Sequence, residues 1–190
     1  MDERFVELAL GGGSVRGASY EGCRFERCSL ESVRFVDCSF VDCSFQDCGL
    51  VGVGLPGCTM LDVSFVGGRA MGVDWVSLRR LTLALRFDSV RMDYANFTGM
   101  PLKRTVFEGC GLRGAVFGEC DLSGSRFGGS DLTDADIRHA DLRGTDLRDT
   151  RGCSFHVGSC KLGKTMVDVD TAVLLLHSLG VRCPDLGGGA

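Results

Sequence analysis

The sequence predicts an all-β solenoid, wound into four-sided coils of twenty residues and closed by a short C-terminal α-helix. Three observations lead there. An apolar residue recurs at every fifth position through most of the 190 residues, a small residue recurs two places before it, and the apolar types alternate so that like falls on like twenty residues apart. Composition fits a repetitive, narrow alphabet, with Gly 28, Cys 11 and Phe 12 against Pro 3, Trp 1 and Tyr 2. At 44% hydrophobic and 24% charged residues, the chain carries one core's worth of apolar material, and intrinsic disorder is not expected.

Stepping by five from Phe5 gives Leu10, Val15, Tyr20, Phe25, Leu30, Phe35, Phe40, Phe45, Leu50, Leu55, Met60, Phe65, Ala70 and Trp75. The phase then slips by two. A second series runs from Phe87 through Met92, Phe97, Leu102, Phe107, Leu112, Phe117, Leu122, Phe127, Leu132, Ile137 and Leu142 to Leu147, and weakens through Gly152, Val157, Leu162 and Val167. Two places earlier stand Cys23, Cys28, Val33, Cys38, Cys43, Cys48 and Cys58, and later Cys110, Ala115, Cys120, Ser125 and Ser130. Five-residue spacing drifts around a helix and swaps faces on a strand, so neither element alone explains it. A turn in every pentad does.

The number of sides follows from residue type. In the second series Phe alternates with Leu or Met, so four pentads per coil stack Phe87 on Phe107 and Phe127, and Leu102 on Leu122, Leu142 and Leu162. A three-sided coil would mix them. Coils at the inter-strand spacing of roughly 4.8 Å give about 7 to 8 turns and a rod of roughly 35 to 40 Å.

Residues 1–167 are assigned to the coil and 168–182 to a terminal helix, with Asp170 as its N-cap and Gly180 just past its end. The tail 183–190 is expected to be flexible. The helix is apolar nearly all round from Ala172 to Leu176, more than one coil end needs, so Val173, Leu174, Leu176, His177 and Leu179 are the expected contacts of a homodimer. Gly11, Gly12 and Gly13 are expected to loosen the first coil. Between Trp75 and Phe87 the spacing is twelve, so residues 76–86 must bulge, loop or kink. Arg79, Arg80, Leu81 and Leu83 in that interruption are candidate partner contacts, because loops on rigid supports often carry recognition; the alternative is a register correction with solvated arginines.

Stretches such as Cys120-Asp121-Leu122-Ser123-Gly124, Ser130-Asp131-Leu132-Thr133-Asp134 and Ala140-Asp141-Leu142-Arg143-Gly144 look like the A(D/N)LXX motif. On that motif the chain resembles the pentapeptide-repeat proteins from about Tyr20 to Val167. The resemblance implies a right-handed quadrilateral β-helix, in agreement with the count of four.

No catalytic, metal or cofactor site is expected. The cysteines occupy the small inward column, there is no C-x-x-C, and a zinc site needs four converging ligands. Cys183 is the one expected to be exposed. His139, His156 and His177 follow no ligand spacing, and no P-loop or G-x-S-x-G is present. A net charge of −4 argues against direct nucleic-acid binding. The acidic start and short apolar runs suggest a cytoplasmic protein with no membrane span.

Charge placement is more telling than net charge. No Lys or Arg lies between Arg34 and Arg69, where Asp37, Asp42, Asp47 and Asp62 each follow a centre by two and should point outward. Asp121, Asp131, Asp136, Asp141 and Asp146 directly precede their centres and are also expected to face solvent. Regular carboxylates on a narrow rod suit a basic partner groove; solubility and turn preference are the simpler explanation.

Among pentapeptide-repeat proteins, the interrupted rod, the cysteine-rich first half and the Leu-rich terminal helix resemble the topoisomerase-protecting group of Qnr, MfpA and AlbG types. Met71-Gly72-Val73-Asp74-Trp75 and the stretch from Ala172 to Val181 are most similar to the AlbG type. That resemblance implies a noncatalytic, DNA-mimicking homodimer that binds DNA gyrase or topoisomerase IV and protects it from poisons, as antibiotic resistance or producer self-immunity. The alternative is a generic scaffold or interaction module with another partner.

Overall fold

Each pentad has room for a three-residue strand and a corner, so the strand backbone must find its hydrogen bonds in the coils above and below, and the later coils add local turn bonds such as Ala115 N–H to the Leu112 carbonyl. The computed structural model describes residues 3–81 and 83–182. All strand pairings in it are parallel, and the strand residues of the early coils pair twenty positions away. One face is laddered through Arg4, Arg24, Ser44, Ser64, Arg86, Val106, Arg126, Asp146 and Met166. Those eight steps span about 38 Å. Three further ladders start at Ala9, Ser14 and Ser19, giving the four sides. Ala9–Gly11 keeps full register on Ser29–Glu31, so the three glycines form a regular strand end and corner and do not loosen the first coil.

The core is an aromatic spine. Phe5, Phe25, Phe45, Phe65, Phe87, Phe107 and Phe127 stack along one face, with neighbouring centroids 4.6 to 5.1 Å apart. From the opposite face Trp75, Phe97 and Phe117 form a second stack. The two meet edge to face, as in Phe107 against Phe117 at 81°, the arrangement ring quadrupoles prefer.

The small inward column packs and also donates hydrogen bonds. Cys28, Cys48, Cys58 and Cys120 each direct a thiol to the carbonyl of the centre residue 23 positions earlier, at 2.8 to 3.4 Å. Ser125, Ser130 and Thr145 do the same with hydroxyls. Their type is therefore constrained by donor chemistry as well as size. Burial pushes the thiols of Cys48, Cys58, Cys110, Cys120 and Cys153 up to about 11, which keeps them protonated. None of the ten described cysteines is in a disulfide.

The two-residue phase slip has a specific construction. Up to Arg79 the pitch is ordinary, with a 3-10 turn at Trp75–Ser77, buried Leu78 and the Arg79 N–H on the Cys58 carbonyl. Met60 then pairs with Leu83, three residues late, and a bulge sets Leu61 and Asp62 against Ala84 alone, which takes one residue back. Phe65 therefore still meets Phe87 at 5.1 Å. The irregular stretch is shorter than 76–86, since Leu83–Asp88 is strand.

At the far end the helix Val169–Ser178 begins at Asp168, whose carboxylate accepts from the Thr171 N–H at 2.8 Å. Asp168, not Asp170, is the N-cap: it alone keeps an extended backbone, while Asp170 lies in the first turn. Gly180 follows the end with φ +77. Leu175 and Thr171 are buried as the plug of the last coil. Leu162, expected to continue a Leu stack, is exposed because no further coil covers it. Cys183 and the tail 184–190 lie outside the described residues.

The carboxylates of the later coils do not stand free in solvent as expected. Asp141 is buried at 7% exposure, and Asp121, Asp131, Asp136 and Asp146 are half-buried. Each sits within ion-pair distance of a cation: Lys103, Arg113, Arg138, Arg143 and Arg148 in turn serve Asp121, Asp131, Asp136, Asp141 and Asp146. Several also accept the backbone N–H two residues on, closing a local turn. They organise the coil surface more than they charge it.

Truncating Phe107→Ala in mid-spine should cost about 3 to 5 kcal/mol by chemical denaturation, and Phe5→Ala at the half-covered end clearly less. Equal costs would refute the spine as described. The Arg143 guanidinium beside Asp141 holds its carboxyl at about 2, below the ordinary carboxylate range. That contribution is complete above the ordinary range and lost as pH falls from about 4 toward 2. The melting temperature of Asp141→Asn should therefore be lower at neutral pH and flatter across that window than that of the parent; parallel curves would contradict this.

Candidate interaction surface

A solenoid with its backbone bonded axially and its centres packed inward offers partners only outward side chains and its ends. Outside the 3-10 turn after Trp75, the corner residue two places after each centre from Phe5 to Leu147 takes a left-handed backbone. Asp37, Asp42, Asp47 and Asp62 have φ between 51 and 53, a conformation Asp tolerates better than most residues. All four are exposed. Turn preference accounts for Asp at these corners over a branched residue; it does not select charge over Asn or Gly.

The structure does not gather the four into one patch. Asp42 and Asp62 lie on the same corner one coil apart, since Val41 pairs with Leu61. Asp37 and Asp47 belong to the corners on either side, so together the carboxylates frame two adjacent faces. Asp37 is also engaged by the Arg79 guanidinium at 3.0 Å.

The loop at the slip sorts its residues into different roles. Arg79 is tied to Asp37, and Arg80 donates to the Gly99 carbonyl at 2.9 Å, so the two arginines brace the loop from either side. Leu81 is 97% exposed. Leu83 corrects the expectation of a free contact: it is strand, half-buried and packed on the core.

At the helix end Leu174 and Leu179 are more than half exposed, Leu176 and His177 are exposed, and Val173 is half-buried. Leu162, Met166, Val169 and Val181 add exposed apolar surface on the last coil and helix. Sequence reasoning missed these four; the failing pentad pattern after Leu147 was the available signal for the first two. No cluster of His, Cys, Asp or Glu able to hold a metal occurs among the described residues, and no helix there is long and apolar enough to cross a membrane.

Comparison with known proteins places this architecture. A family model described as pentapeptide repeats matches eight copies over residues 110–149, and one described as a pentapeptide repeat region matches residues 18–84. No curated protein matches. Two trypsin-treated forms of QnrB1, a plasmid-mediated fluoroquinolone resistance protein, are similar in structure. One has 20% identity, coverage of 95% of this chain and 99% of that chain, and a TM-score of 0.69. The other has 19% identity, coverage of 96% and 99%, and a TM-score of 0.63. HetL, a pentapeptide repeat protein of the cyanobacterium Nostoc, has 16% identity, coverage of 85% and 84%, and a TM-score of 0.44. At these identities the likeness to QnrB1 is one of fold. With the two family matches together spanning more than half of the chain, on coils of the corresponding period, this chain belongs to the pentapeptide-repeat proteins.

Proposed function

We propose that the protein is a noncatalytic binder of DNA gyrase or topoisomerase IV that relieves these enzymes of a bound poison. The observation that carries the reading is the stretch between Arg34 and Arg69, free of Lys and Arg, whose outward carboxylates Asp42, Asp47 and Asp62 stand on a rigid rod. Fold likeness to a fluoroquinolone resistance protein supports it. In this reading the carboxylates stand in for phosphates in the DNA-binding saddle, and the braced loop around Leu81 touches the enzyme near the drug. The chain makes and breaks no bond; it shifts the trapped enzyme back toward religation by competing for the site. Cytoplasmic residence follows from such a target.

The exposed apolar helix face supports homodimerisation, with Leu174, Leu176 and Leu179 covered by the same residues of a second copy. A second reading, a scaffold for another partner, is favoured by the later coils, whose carboxylates are spent on internal ion pairs.

In a supercoiling and cleavage assay with purified gyrase and a poison, added protein should restore supercoiling. Asp42→Asn/Asp47→Asn, which keeps residues tolerant of the corner backbone, should lower potency about tenfold or more with little change in melting temperature. Absence of rescue across several poison classes would leave the scaffold reading. Leu174→Asp should convert a dimer to a monomer in light scattering after size exclusion; a parent that is already monomeric refutes the helix interface.

A further inference from the structure

We propose that the flattened corner beside the loop is a docking groove for an extended peptide of a partner protein, apolar in the middle and oppositely charged at its two ends. Strand Thr59–Val66 keeps its left-handed corner at Asp62, with φ 53, whereas Leu83–Asp88 alongside it passes the same corner one residue shorter and with no left-handed residue. The lost turn leaves a groove of about 510 Å³, lined among others by Asp62, Ser64, Leu83, Ala84, Lys103 and Arg104. Leu83 and Ala84 give it a half-buried apolar floor. Leu61 and Val66, flanking the lining segment on the same strand, are exposed.

Charge fixes the chemistry of the occupant. On one side Asp62 continues into Asp42 one coil earlier, within the stretch that lacks Lys and Arg. On the other stand Arg86, Lys103 and Arg104. Arg86 and Lys103 hold exposed pairs, 3.7 Å to Asp88 and 3.3 Å to Asp121, of the weak kind a ligand carboxylate can replace. Arg104 has no carboxylate within ion-pair distance among the described residues. From the coil of Asp42 to that of Arg104 is three steps, about 14 Å, or about four extended residues. The backbone of this face is bonded axially, so recognition runs through side chains and not by adding a strand. A uniform polyanion or polycation satisfies only one end of the groove.

The test uses fluorescein-labelled peptides sharing a Leu-Val-Leu centre, followed by fluorescence polarisation on the full chain. One carries two Lys at one end and two Glu at the other, made in both chain directions; the controls carry Lys at both ends or Glu at both ends. One direction of the mixed peptide should bind at least tenfold tighter than either control. Lys103→Glu/Arg104→Glu should transfer the preference to the all-Lys peptide at unchanged melting temperature. Asp62→Asn, milder for the fold, should weaken the mixed peptide and leave the all-Glu control unchanged. Equal binding of all peptides, binding of none, or an unaltered preference in the variants overturns the proposal.

Discussion

Everything in this molecule depends on keeping the phenylalanine spine in register along the axis. Seven rings at 4.6 to 5.1 Å leave no room for a coil that is one residue out, because a slip would carry the centre to the outer face. The slip between Trp75 and Phe87 shows how strict the constraint is. Three extra residues are thrown out as a loop and one is recovered by a bulge, and Phe87 arrives beneath Phe65 as though nothing had intervened. Loop, bulge and flattened corner, the irregular features with chemical interest, are all by-products of preserving that stack.

Close approach makes the same point at the backbone. At Gly68 a side-chain carbon would lie 2.2 Å from the Cys48 carbonyl oxygen, and φ is +72. Only glycine fits. The position belongs to the small inward column, where the same side one coil earlier holds Cys48, so the cross-section changes from coil to coil along one side. Charge is distributed just as unevenly, with exposed corner carboxylates at Asp42, Asp47 and Asp62 in the early coils and internally paired ones later.

The coil, its four sides and its large and small inward columns were legible in the sequence because burial repeats with a period that only a turn per pentad explains. The donor role of Cys120 and Ser125 was hidden, since their acceptors lie 23 residues back and no local pattern marks them. Asp141, directly before its centre, looked outward in the sequence, as did Asp42, two places after one. What separates them is Arg143, two residues on and folded back over the carboxylate, a contact that spacing alone does not reveal. Likewise Leu83 read as part of a loop because the phase slip gives the net offset of two and conceals its makeup of three minus one.

The thiols and hydroxyls that reach back 23 residues bind each layer to the one before it and to no other. Cohesion is thus strictly between neighbours, and the cross-section is indifferent to how many layers lie on either side. Length can change by whole units of twenty through duplication or deletion with no redesign of the interior, as a ruler is extended by repeating its graduations. A change by any other number has to be absorbed by an excursion, and each excursion marks the outside of the rod with a feature that a partner can distinguish.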